Sequence, residues 1–89
     1  MINREVKGNS LLRLRKIEGQ IKGITKMVDE EKYCVDIINQ ITAAQRALDQ
    51  VALSIMKRHI ESCVSSAVKE GQGSGKIDEL METINKFVK

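Results

Sequence analysis

The chain has 89 residues, no proline, no tryptophan, one tyrosine and one phenylalanine, with a formal charge of +3. That length allows a single domain, residues 1–89, with a modest core, so association with further copies is expected. No run of about 18 apolar residues and no signal-like apolar start is present, which leads to the expectation of a soluble cytoplasmic protein with no membrane role, its two cysteines thiols or ligands rather than a disulfide.

The apolar residues are mostly Ile, Val, Leu and Ala, which suits an all-α fold of helices packed on helices. In the first predicted helix, Lys7 to Glu30, Leu14, Ile17, Ile21, Ile24 and Val28 recur at spacings of three and four and define one apolar stripe. Gly19 and Gly23 lie inside it, and close approach of another helix is the usual reason for such glycines. This helix is also where the charge lies: residues 1–28 carry seven basic and two acidic side chains. A basic helix repeated in an oligomer is suited to DNA phosphates.

After the acidic break "DEEK", a second stripe runs through Cys34, Ile37, Ile41, Ala44, Leu48, Val51, Ile55, His59 and Cys63. It predicts a helix from Tyr33 to Glu70, ended by the turn or linker "GQGSGK". A third helix from Lys76 follows, with Ile77, Leu80, Met81, Ile84 and Val88 expected inward.

The only histidine and both cysteines thus share one face of helix 2. His59 and Cys63 stand four apart, about 400° round an α-helix. Cys34 has the same phase but lies about 43 Å from Cys63 along a straight helix, and no Pro or Gly between them breaks it. An antiparallel pair of helices 2 crossing near Leu48 places Cys34 of one protomer opposite residues 59 to 63 of the other, giving two identical Cys, His, Cys sites. Two thiolates and one imidazole suit Cu(I), which accepts low coordination numbers, better than zinc.

The chain closely resembles the copper-sensing repressors of the CsoR/RcnR family over nearly its whole length, most specifically in "RLRKIEGQIKGITKMV", "YCVDIINQITAAQRAL" and "HIESCVSSAV". The resemblance implies an all-helical chain of three helices, forming an antiparallel four-helix-bundle dimer that assembles to a tetramer. It implies a repressor that binds double-stranded operator DNA when apo and leaves it on binding Cu(I), derepressing copper-export genes. It matches Cys34, His59 and Cys63 to the copper ligands and gives Tyr33 and Glu79 supporting roles, hydrogen bonding the far nitrogen of His59. For DNA it points to Arg13, Arg15, Lys16 and Arg46.

Nickel- or cobalt-sensing relatives use extra histidines, whereas this chain has Asn3 near its start and no second histidine. Formaldehyde-sensing relatives carry a proline after the initiator methionine, where this chain has Ile2. Persulfide-sensing relatives keep both cysteines but lack the histidine. A sulfur-species sensor using Cys34 and Cys63, and a copper-buffering protein without DNA binding, are the alternative readings. No enzyme is expected: the sole histidine is allocated to the metal, and no activated nucleophile or phosphate-binding loop is visible.

Overall fold

The computed structural model describes residues 2–71 and 73–88, with the side chains of Cys63 and Val64 outside that description. The described residues are helical, in the order α1 (Arg4–Asp29), α2 (Cys34–His59), a π-helical turn (Ile60–Val64), α3 (Ser65–Lys69) and α4 (Gly73–Val88). Helix α1 begins three residues before its predicted start because Asn3 caps it, its Oδ1 accepting from the Val6 N–H at 2.8 Å.

The end of α1 is a Schellman motif: the Lys32 N–H donates to the Met27 carbonyl at 2.9 Å and the Glu31 N–H to that of Val28 at 3.1 Å. This places Glu31 in the left-handed region, φ 54°, a position that glycine ordinarily fills. The turn reverses the chain, so α2 runs back along α1 with Ile17, Ala44 and Val51 buried between them.

The predicted second helix is divided into α2, the π-helical turn and α3. At Ile60–Val64 the turn widens, and the Ile60 carbonyl accepts from the Ser65 N–H and also from the Ser65 hydroxyl at 3.0 Å. Serine hydroxyls that bond back to the helix bend it, and Ser62 does the same to the Arg58 carbonyl at 3.0 Å. Five-residue spacing of hydrogen bonds retards the helical phase, so Cys63 does not stand the full 400° beyond His59 that an α-helix requires.

The glycine-rich stretch is a tight corner rather than a linker. Gly71 adopts φ +79°, which ends α3, and α4 starts at Gly73, three residues before Lys76. A Cβ on Gly73 would lie 2.6 Å from Val68 Cγ2 and 3.1 Å from its Cα, so only glycine lets α4 fold back this closely. Gly19 and Gly23 differ: nothing lies within 4 Å of a Cβ added at either, so the expected close approach does not occur within the chain.

One chain forms a single layer of helices, 56 × 28 × 13 Å, whose thickness is that of one helix. A layer has two faces and can bury only the edges where its helices touch. Accordingly Ile21, Val28, Ile77, Met81 and Val88, expected inward, are exposed, while Leu14, Ile24, Leu80 and Ile84 are half-buried. On α2 the stripe divides: Ala44 and Val51 face α1, whereas Cys34, Ile38, Ile41 and Leu48 form a bare seam. The chain exposes 7031 Å², about a third more than the roughly 5,200 Å² of a compact monomer of 10.0 kDa.

Candidate metal centre and nucleic-acid interface

Cys34 is the first residue of α2 and its thiol is free and exposed. His59 is the last residue of the same helix and is half-buried. Twenty-five steps at about 1.5 Å separate them by roughly 38 Å. Nothing in α2 shortens that distance, so one chain does not unite the donors. Among the described residues no group of three or more His, Cys, Asp or Glu side chains is close enough to hold a metal ion. Cys63 lies on the π-helical turn, one turn beyond His59; its side chain is outside the described residues.

His59 lines a pocket of about 230 Å³ between α2 and α4, together with Ile55, Met56, Glu79, Leu80 and Thr83. Of the two supporting residues, Glu79 is therefore brought to the imidazole's own pocket. Its carboxylate is also 3.9 Å from Lys76 Nζ, an exposed i, i+3 pair that contributes little energy and leaves the group free to reorient. Tyr33 is at the far end of α2, 68% exposed, and within one chain it does not approach His59. The apolar walls Met56 and Leu80 belong to the apolar stripes of the second and last helices expected from sequence, and Met56 precedes His59 by three residues and so shares its side of the helix.

Of the four basic residues expected at DNA, the structure unites two. Arg13 and Lys16 line a groove of about 570 Å³ along α1, with Asn9, Leu12 and Gln20 from the same helix and Ala47 from α2. Arg46 is exposed beside Ala47. Arg15 follows Arg13 by two residues, about 200° round the helix, and is not among the residues that line the groove. Asn9 and Gln20 were missed; the signal was their place in the 4, 3, 4 spacing of residues 9, 13, 16 and 20.

The geometry thus separates a pocket with a histidine and a carboxylate, an exposed thiol at the opposite end of the same helix, and a basic groove on the paired helix. Among the described residues no helix is long and apolar enough to cross a membrane.

The family described as metal-sensitive transcriptional repressor matches residues 7–86. The copper-sensing transcriptional repressor CsoR of Bacillus subtilis is 47% identical over 77 residues, covering 86% of this chain and 76% of that protein. Among solved structures, the copper-sensing repressor CsoR with Cu(I) from Geobacillus thermodenitrificans superposes with a TM-score of 0.92 at 43% identity, over all of this chain and 93% of that one. The nickel-responsive transcriptional regulator InrS superposes with a TM-score of 0.77 at 35% identity, over 90% of each chain.

Proposed function

This chain belongs to the metal-sensitive transcriptional repressor family, and from that premise we propose that the metal it senses is Cu(I), held by Cys34 of one protomer with His59 and Cys63 of another. It is a Cu(I)-responsive repressor, not an enzyme: the apo protein holds its operator and the loaded protein releases it. The observation that carries the reading is the likeness, along the entire chain, to a repressor solved with Cu(I), in a sequence whose one histidine and two cysteines form a soft donor set.

The copper ion, when bound, supplies a soft Lewis acid that prefers two thiolates and an imidazole to harder oxygen donors. The chain's own residues do the rest. Cys34 and Cys63 give up their thiol protons to become ligands, which makes affinity rise with pH. His59 offers one ring nitrogen to the site and leaves the other for the Glu79 carboxylate in the shared pocket, an arrangement that fixes the ring's orientation. Because Glu79 belongs to α4, ligation at α2 biases the position of α4. Release of DNA requires only that the conformation so stabilised bind the operator less well.

A dimer is needed for the site, and the bare seam of Ile38, Ile41 and Leu48 supports an antiparallel pairing of two α2 helices. Two such dimers form the tetramer. The remaining exposed apolar residues of α4, Ile77, Met81 and Val88, support that further association. The working place is the cytoplasm, where thiols stay reduced and the operator is within reach.

The test is an anaerobic Cu(I) titration with duplex binding followed in parallel, using DNA selected by the apo protein from a random library. One Cu(I) per protomer is expected, with DNA released as sites fill. Copper binding without release supports the buffering alternative. Release by polysulfide but not by Cu(I) supports the sulfur sensor. Site sharing is tested with mixed dimers: Cys34→Ala and Cys63→Ala each abolish tight binding alone, and a verified heterodimer of the two regains one intact site. A site built within one chain regains none.

A further inference from the structure

The groove on α1 holds more than the two cations the repressor reading calls for. Asn9, Arg13, Lys16 and Gln20 form one face of the helix in the order amide, cation, cation, amide, over about 16 Å. No carboxylate lines the groove, and its remaining lining is apolar. Among the described residues none of these four side chains has a hydrogen bond or ion pair within the chain. By contrast Lys26, Lys32, Lys76 and Lys86 all stand within 4.0 Å of a glutamate oxygen. Four unengaged donors face one concave surface, and among the described residues no acceptor satisfies them.

The array is too long for a compact anion. Each strand of a duplex carries a phosphate for every roughly 3.4 Å of helix axis, so an array about 16 Å long can meet more than one phosphate of a strand. Two guanidinium or ammonium groups flanked by neutral amides match a run of phosphates. Arginine, lysine, asparagine and glutamine are all among the side chains that contact phosphate oxygens. On the proposed pairing, Leu48 on the bare seam stands about 100° round α2 from Ala47 at the groove's edge, so the seam and the groove are different faces of α2.

Resting on the repressor reading, we infer that the α1–α2 groove seats the sugar–phosphate backbone of one operator strand, with Asn9 and Gln20 as uncharged anchors at the two ends of the Arg13–Lys16 pair. Contacts of this kind fix register and orientation without reading base edges.

The experiment measures affinity for the selected operator and for unrelated duplex, each across a salt series, with apo wild type, Asn9→Ala, Gln20→Ala and Lys16→Ala. Circular dichroism and Cu(I) stoichiometry verify the fold of each variant. Each amide variant is expected to weaken binding to both duplexes about tenfold, as for loss of a hydrogen bond to a charged acceptor. Its salt slope and its operator-to-unrelated ratio match wild type, since neither amide displaces a counterion or touches a base. Lys16→Ala lowers the slope by about one. Amide variants that bind as wild type overturn the inference alone. So does selective loss of operator binding with unrelated duplex unaffected, because the amides then read bases. A wild-type protein that binds no duplex overturns this inference together with the function it rests on.

Discussion

Leu48→Ala is the most direct probe of the antiparallel pairing, because the sequence places this residue at the crossing point and the structure leaves it 44% exposed. Full burial of a leucine side chain contributes about 1.5–3 kcal/mol. Covering the remaining 44% of Leu48 therefore contributes about 0.7–1.3 kcal/mol per copy. At a two-fold crossing the two copies meet each other, so the substitution removes the contribution twice, about 1.5–2.5 kcal/mol per dimer. That converts to a dimer Kd raised about ten- to seventyfold. Sedimentation equilibrium over a concentration series measures it, with Leu12→Ala as control, since Leu12 is more exposed still but lies on the basic groove. A Kd within twofold of wild type for Leu48→Ala, or an equal weakening by both substitutions, refutes the placement of the seam.

Three further substitutions separate switching from folding. His59→Ala is expected to keep Cu(I) on the two thiolates but to release operator only weakly, because the link from the site to Glu79 and α4 is gone; parallel metal and DNA titrations check it, and release as complete as wild type removes the pocket from the coupling. Glu31→Gly is expected to stabilise by about 0.5–1 kcal/mol, the left-handed cost of a non-glycine residue less glycine's greater unfolded freedom, and to raise Tm by several degrees in a thermal melt. Gly73→Ala is expected to destabilise by about 1–3 kcal/mol in urea, because the added methyl would lie 2.6 Å from Val68 Cγ2 and 3.1 Å from its backbone Cα, whereas Gly75→Ala meets nothing within 4 Å and serves as the control.

Element existence and type were legible from periodicity, since the three- and four-residue spacings of α1, α2 and α4 have no strand alternative. Features that depend on single backbone atoms were not. The π-helical turn follows from Ser62 and Ser65 bonding back to carbonyls, a choice no apolar pattern encodes. The early start of α4 follows from a contact between Gly73 and Val68, so glycines that read as a linker serve a corner. Burial was over-called for a related reason. Hydrophobicity marks residues suited to being covered, and a single layer of helices covers only part of them, so Ile21, Val28, Ile77, Met81 and Val88 are apolar by sequence and exposed in one chain.

The same distinction governs the candidate site. Residue types and α-helical phase propose Cys34, His59 and Cys63 as a candidate donor set, yet the roughly 38 Å of α2 between Cys34 and His59 keeps these two apart within one chain. In the proposed shared site association and metal binding are thermodynamically linked: any gain in metal affinity from the partner's thiolate is a gain in dimer stability of equal size. The DNA groove needs no such completion. Arg13 and Lys16 are brought together by α1 alone and bordered by α2 of the same chain, so the surface proposed to face the duplex is complete within one protomer. On the proposed assignments the recognition surface is preformed and the ligand site conditional, and the segment between them, α2 with the pocket it shares with α4, is the part whose position a bound metal would change.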